Sequence, residues 1–404
     1  MVEALLTVTP PADLEAEAPG GSPAGGPPED VFVFPVSHAQ ERLWFVNQLE
    51  PGSPAYNLPI VLRAEGQLDL GVLESSLNEI IRRHEALRTT FAVIGGQPMQ
   101  LVGPELKLAL RPEPASGPAE AERLVTEAIR EPFDLARGPL FKARLWRLGE
   151  AEHVLLLNLH HTVADGWSFE VLLQELGALY TSLSEGAAGA EPSLPGLPIQ
   201  YADYAVWQRE WLQGEALEAQ LDYWKKQLAV PPPDLGLPAD RPRGAVRSSR
   251  GALLSIPLDD ALAEALKGLS RRESATLFMT LLAAFKTLLH RLSGQADIAV
   301  GSPVANRNQA EVEGLIGVFI NTLVFRADLS GDPTFRELLG RVREAALGAY
   351  AHQEVPFERL VEELRPDRDR GRNPLFQAMF MCQRAFIQPL ELPGLTLVPE
   401  RMDR

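Results

Sequence analysis

Apolar residues along this chain switch between two spacings. In LGVLESSLNEIIRRHEAL (residues 70–87) they recur every three to four positions, which predicts an amphipathic helix. HVLLLNLHH (153–161) is a short, nearly unbroken apolar run, best read as a buried strand. WSFEVLLQELGALYTSL (167–183) returns to helical spacing, and YADYAVWQREWLQGEALEAQLDYWKKQL (201–228) continues it, with a break near Gly214. SATLFMTLLAAFKTLLHRLSG (274–294) is apolar nearly all round, so it predicts a buried helix with Ser274 as N-cap and Gly294 as C-cap. DIAVGSPV (297–304) and FINTLVFRADL (319–329) read as strands. Helices alternating with strands predict an α/β fold, here in two lobes.

Three stretches interrupt the pattern. Residues 1–30 carry six acidic residues, no basic ones and clusters of Pro and Gly, so they read as a disordered tail or linker, with order beginning at Val31. SEGAAGAEPSLPGLP (184–198) separates helical patterns, and the Pro-rich VPPPDLGLPADRPRG (230–244) reads as an extended surface segment. The expected division is an N-terminal lobe over 31–183, an interlobe linker and helix start over 184–208, and a C-terminal lobe over 209–404, expected to be truncated at its C-terminus.

Charge narrows the function classes. A net charge of −16 over 404 residues argues against a nucleic-acid surface or a basic membrane patch. The single cysteine, Cys382, excludes an intrachain disulfide and a cysteine-based metal cluster; in LFQAMFMCQ it reads as a small apolar filler. No stretch reaches the roughly 18 consecutive apolar residues of a membrane span. The N-terminal residues lack the basic region of a signal peptide, so a cytoplasmic location is expected.

The candidate chemistry lies in HHTVADGWS, His160 to Ser168. With seven histidines in the chain, an adjacent pair is expected by chance only about 0.1 times, which makes the stretch worth a mechanism. At the end of a strand, neighbouring side chains point to opposite faces, so His160 and His161 do not converge on one metal; one faces a site and the other faces packing. No HExxH pattern or cysteine pair points to a metal either. Asp165 can orient a histidine or pair with an arginine. Gly166 permits a sharp turn or close approach of a ligand, and the next helix begins with exposed backbone N–H groups. A base, a tight turn and a helix start suit acyl transfer, with the imidazole removing or positioning a proton and the dipoles meeting an oxyanion. GxSxG is absent, so direct transfer between two bound substrates is favoured over a covalent acyl-enzyme.

HHxxxDG resembles the signature of the condensation domains of nonribosomal peptide synthetases, members of the chloramphenicol acetyltransferase superfamily. Further stretches match in order: SHAQERLWFVNQLEPGSPAYNLP (37–59), RRHEALRTTF (82–91), YADYAVWQ (201–208), LPADRPR (237–243), GSPVANR (301–307), IGVFINTLVFR (316–326), HQEVPFERLV (352–361) and RGRNPLFQAMF (370–380). The resemblance covers about residues 33–404.

It implies a V-shaped pseudodimer of two acetyltransferase-like lobes with a central tunnel. A donor carrier protein brings an acyl or peptidyl thioester on phosphopantetheine, an acceptor peptidyl carrier brings an aminoacyl thioester, and a peptide bond forms. The domain needs no metal and binds no cofactor itself; a neighbouring adenylation domain is expected. By motif position His161 is the catalytic histidine, as general base or as positioner of the amine, with His160 its packing neighbour. Asp165 is structural, Gly166 keeps the channel open, and Arg307 is the candidate ion-pair partner of Asp165 across the lobes. Arg83, Arg88, Trp207 and Asn321 match further motif positions and read as supports of the site. His38, His84, His153, His290 and His352 receive no role. The alternatives are a starter domain that N-acylates the first amino acid with a fatty acyl group, a free-standing acyltransferase using coenzyme A, and a non-catalytic docking module.

Overall fold

The computed structural model describes residues 30–186, 194–240, 251–364, 375–383 and 388–400. The acidic tail, Asp30 excepted, and parts of both Pro-rich linkers lie outside the described residues. In chain order the elements are β1 (Phe32–Pro35), α1 (His38–Leu49), β2 (Asn57–Gly66), α2 (Leu70–Arg83), β3 (Thr89–Ile94), β4 (Gln97–Val102), β5 (Pro112–Pro114) and α3 (Pro118–Ile129). There follow β6 (Phe141–Arg147), β7 (Glu152–His160), α4 (Gly166–Glu185), α5 (Tyr201–Trp211), α6 (Gly214–Gln227), α7 (Asp260–Arg272) and α8 (Leu277–Ser293). The chain closes with β8 (Asp297–Val304), α9 (Ala310–Glu313), β9 (Asn321–Asp328), α10 (Phe335–Ala351), α11 (Phe357–Leu364), β10 (Leu390–Leu392) and β11 (Leu395–Pro399).

Two compact units emerge, and neither is a continuous stretch of chain. The first contains the described residues up to Trp211, the segment Arg307–Phe319 and the described residues after 387; the second contains Leu212–Asn306 and Ile320–Gln383. A single boundary near 184–208 therefore does not describe the division. The reason is physical: residues 307–319 and β10–β11 bury their groups in the first unit, although the intervening sequence belongs to the second.

The first unit is built on a six-stranded sheet in the order β10-β11-β2-β7-β6-β5. The β7 strand is central, antiparallel to β2 and β6, and every residue from His153 to His160 is buried. Both faces are covered, which is why its sequence reads as a continuous run rather than an alternation. Leu155, Leu157 and Leu159 face α2 and α4, whereas Val154 and Leu156 pack against α3. A second sheet, β1-β4-β3, lies in the same unit.

The second unit pairs β8 with β9 and packs α8 and α10 over one core. Thr276, not Ser274, caps α8: its side chain accepts from the Met279 N–H, while Ser274 takes a left-handed turn with φ 52°. Gly294 ends the helix at φ 72° as expected. The helix is not buried all round, because Leu288 and Leu292 are about half exposed, and Cys382 is likewise exposed rather than packed. The long helical pattern over 201–228 divides at Leu212–Gln213 into α5 and α6.

Lys286 of α8 is fully buried, and its Nζ donates to the carbonyls of Ile298 and Phe325, one on each strand, at 2.7 Å each. Burial pushes its pKa down to about 7, against a smaller upward pull from Asp297. The unfolded chain keeps that proton up to about 10.5, so above about pH 7 the unfolded state holds more protons and stability rises with pH. Lys286→Met is expected to remove this rise. Relative to the variant, the wild type should gain up to about 1.4 kcal/mol per pH unit between about pH 7 and 10, read from urea unfolding at a series of pH values. Parallel pH profiles for the two proteins would show that Lys286 keeps its proton when folded.

Candidate active site

The site is assembled where β7 ends. His160 is the last strand residue, and its N–H donates to the Leu140 carbonyl at 2.9 Å. His161 lies one residue beyond the strand, its N–H donating to the Tyr56 carbonyl at 2.9 Å. Gln40, buried in the first turn of α1, reaches the Thr162 carbonyl at 3.4 Å, and Val163 and Ala164 are fully buried. The turn is therefore fixed by backbone bonds and by packing.

The two imidazoles are in different surroundings. His160 is buried, and His161 is only half-buried. The Nδ1 of His161 lies 2.8 Å from the Ala164 carbonyl. A carbonyl only accepts, so Nδ1 carries the proton and Nε2 keeps its lone pair. Burial lowers the His161 pKa; the Ala164 carbonyl and the charge of Asp165 pull upward, and Arg42 of α1 adds a further downward pull. The net direction is downward, which leaves a neutral imidazole with a bare Nε2 at neutral pH, the form a base or an amine-positioning acceptor needs.

Asp165 does not touch the imidazole rings. It caps α4, with Oδ1 accepting from the N–H of Ser168 at 3.0 Å and its hydroxyl at 2.8 Å. The same oxygen receives Arg307 Nη2 at 3.1 Å, and Oδ2 receives the Phe319 N–H at 3.0 Å. Arg307 also donates to the carbonyls of Val312 and Leu315 at 2.6 and 2.7 Å. The pair was expected across the lobes, but Arg307 and Asp165 lie in one compact unit. Gly166 is the first residue of α4 and so needs no left-handed backbone. With the cap serving the third amide of α4, those of Gly166 and Trp167 have no acceptor within the helix.

The segment Arg307–Phe319 is held by residues that motif reading left without a role. The Ser168 hydroxyl, whose one proton lies between Asp165 Oδ1 and the Gly317 carbonyl, accepts from the Gly317 N–H. Trp167 Nε1 donates to the Glu313 carbonyl at 2.9 Å, and the Tyr201 hydroxyl donates to the Val318 carbonyl at 2.7 Å. Gly317 lies so close to the Tyr201 ring that a Cβ there would come within 2.0 Å of it. His84, buried between α2 and α4, accepts from the Ile316 N–H on Nδ1 at 3.3 Å, which puts its proton on Nε2 for Glu175 at 2.9 Å. Burial raises the Glu175 pKa, but His84 and Arg83 together outweigh it and hold the carboxyl below its ordinary value. His84→Ala is expected to speed amide exchange over 312–319 by about 5- to 150-fold, since losing this clamp costs about 1–3 kcal/mol. Hydrogen exchange read by mass spectrometry checks it, and unchanged protection of those amides would rule the clamp out.

The remaining motif residues serve structure. Arg83 bonds Glu175 at 2.8 Å and the Pro195 carbonyl at 2.5 Å, and Arg88 bonds the Gly103 carbonyl and Glu85. Trp207 stacks on Trp211 with ring centroids 5.6 Å apart. Asn321 belongs to the second unit, where it donates to the carbonyls of Gln353 and Val355 and accepts from the N–H groups of Thr322 and Phe357. Among the described residues no group of three or more His, Cys, Asp or Glu could hold a metal, and no single helix is long and apolar enough to cross a membrane.

Comparison with known proteins decides between the families this geometry could serve. The condensation domain model matches residues 32–394. The chain belongs to the condensation domain family. It is thus a domain of the nonribosomal peptide synthetase type, an amide-bond-forming acyltransferase. A linear gramicidin synthase of Brevibacillus parabrevis is 53% identical over 378 residues, covering 92% of this chain and 5% of that protein. Among solved structures, the X-domain from teicoplanin biosynthesis, in complex with OxyB, aligns with TM-score 0.81 and 30% identity over 95% of this chain and 84% of that one. A holo four-domain nonribosomal peptide synthetase bound to AMP and glycine aligns with TM-score 0.80 and 26% identity over 92% and 29% of the two chains. This condensation domain spans 5–7% of the length of the gramicidin synthase polypeptides it matches.

Proposed function

We propose that this condensation domain joins a donor acyl or peptidyl thioester to the amine of an acceptor aminoacyl thioester, both carried on phosphopantetheine arms of carrier proteins. The observation that carries the reading is the His161 Nδ1–H bond to the Ala164 carbonyl, which leaves Nε2 of the neutral ring with its lone pair. In this reading Nε2 accepts a proton from the acceptor ammonium or holds the free amine by its N–H. The nitrogen attacks the thioester carbon, the C–N bond forms and the C–S bond breaks. The thiolate leaves on the donor arm and takes up the proton. The free amides at the start of α4 are the candidate donors to the oxyanion. Asp165 and Arg307 hold the start of α4 and the segment Arg307–Phe319, and Gly166 leaves room beside His161. The domain needs no cofactor of its own, and it works in the cytoplasm beside an adenylation domain that loads the acceptor.

The starter reading, in which the donor is a fatty acyl group, uses the same groups and differs only in the donor. A partner-docking role without chemistry gives no use to a neutral, partly buried imidazole whose Nε2 keeps its lone pair. A single-turnover reaction with loaded donor and acceptor carriers, read by intact-protein mass, is expected to move the donor acyl mass onto the acceptor carrier. Carriers that keep their original masses with aminoacyl, peptidyl and fatty acyl donors alike would leave the docking role.

A further inference from the structure

Behind the site, on the face of the sheet opposite to α2 and α4, three buried side chains carry polar atoms with no hydrogen-bond partner among the described residues: Asn57 Oδ1, Asn158 Oδ1 and His160 Nε2. All three residues are more than nine-tenths buried. Their positions are linked by the register of the sheet. Asn57 of β2 stands directly across from His160 of β7, which brings their Cβ atoms to about 5 Å on one face. Asn158 precedes His160 by two residues on the same strand and so shares that face. The amide nitrogens of both asparagines point to one place, the end of α3. Asn57 Nδ2 donates to the carbonyls of Ile129 and Glu131 at 2.6 and 2.8 Å, and Asn158 Nδ2 reaches the Ala128 carbonyl at 3.5 Å. The ring of Phe133, just beyond, meets the His160 ring edge-on with centroids 5.9 Å apart.

The hydrogen inventory is complementary. The Thr162 N–H, which can only donate, lies 3.2 Å from His160 Nδ1, and the Thr162 hydroxyl at 2.9 Å can donate to the same nitrogen, so Nδ1 bears the lone pair and Nε2 bears the proton. The two asparagine oxygens are acceptors, fixed in orientation by what their nitrogens donate to. One donor and two acceptors remain, in one layer between sheet and helix end. A water molecule accepts one hydrogen bond and donates two, which matches that set.

We infer that Asn57, Asn158 and His160 together bind one internal water molecule, which holds His160 in the Nε2–H tautomer behind His161. Buried polar groups are satisfied by protein or by ordered water in nearly all native structures, and an orphaned set of this size is strongly disfavoured. Burial, helped by the neighbouring His161, pushes the His160 pKa down to about 3, consistent with a ring that stays neutral. The nearby charges, Lys142 and Glu131, are 3.8 Å apart and face each other. The first histidine of the pair then has a task distinct from the second. It fills the space behind the turn as a neutral donor to water and gives no proton to the reaction.

Two measurements on the unmodified domain test this independently of acyl transfer. A crystal structure at about 1.5 Å or better is expected to show one water peak within about 2.7–3.2 Å of all three atoms. Nitrogen-15 ring spectra are expected to show His160 neutral, protonated on Nε2 and not on Nδ1, at any pH from about 5 to 9, since a ring of that pKa stays neutral throughout. A layer closed without a water peak, or a His160 protonated on Nδ1, would overturn the inference. Neither result depends on whether the domain forms amide bonds.

Discussion

His161→Ala is expected to lower single-turnover acyl transfer by about 10²–10⁴-fold, the range a positioned general base contributes, with little change in melting temperature. Chemistry and stability separate here because of what the side chain touches. Its side-chain hydrogen bond to the Ala164 carbonyl, three residues on, is local. The turn itself is held by backbone bonds that alanine keeps, from His161 N–H to Tyr56 and from Val163 N–H to His160. The pH dependence follows from the direction of the shift. Burial lowers the His161 pKa from the ordinary 6.5, so Nε2 is a free base above that lowered value and gains a proton only below it. The wild-type rate should therefore stay level as pH falls through 6.5 and decline only at more acid pH. Stopped single turnovers with loaded carriers across a pH series, with melting curves alongside, check both parts. A variant that transfers at near wild-type rate would remove His161 from the chemistry.

How much of this was legible in the sequence varies with the range of the interaction. The strand, turn and helix around HHTVADGWS could be read because each signal is local. An apolar run with both faces covered makes β7, and an aspartate three residues before a serine caps α4. The opposite surroundings of His160 and His161 followed from the strand ending there. What could not be read is which distant segment completes the site. The resemblance alone names Arg307 as the partner of Asp165, and that pair is present; nothing in GSPVANR announces that Arg307 also bonds the Val312 and Leu315 carbonyls, inside one unit with Asp165. His84 looked inert because its partners are Glu175 and Ile316, 91 and 232 residues away. Gly317 carries a signal only after Tyr201 is known to lie against it. Nothing in the apolar helix around Lys286 signals that two strand carbonyls receive its ammonium. Ser274 and Thr276 are both good caps, and the left-handed turn at Ser274 decided between them.

Asp165→Asn is expected to destabilise the first unit by about 3–5 kcal/mol, the usual cost of removing one partner from a buried ion pair, or on the order of 10 °C in melting temperature. The carboxylate receives donors on both oxygens: Ser168 and Arg307 on Oδ1, the Phe319 N–H on Oδ2. An asparagine offers one acceptor and one amide nitrogen. Whichever way it turns, its NH₂ faces an N–H, either that of Phe319 or those of Ser168 and Arg307. The buried guanidinium also loses its counter-charge, and the hold on Arg307–Phe319 loosens. The chemistry should suffer less. His161 keeps its bond to Ala164, and losing the Asp165 charge lowers its pKa further, which leaves Nε2 a free base at neutral pH. At a temperature where the variant is folded, single-turnover transfer is expected to stay within about tenfold of wild type, a barrier change of roughly 1.4 kcal/mol or less. Melting curves and single turnovers measured on the same preparation separate the two effects. An unchanged melting temperature with transfer abolished would place Asp165 in the reaction itself and would leave the Asp165–Arg307 pair without the structural weight assigned to it.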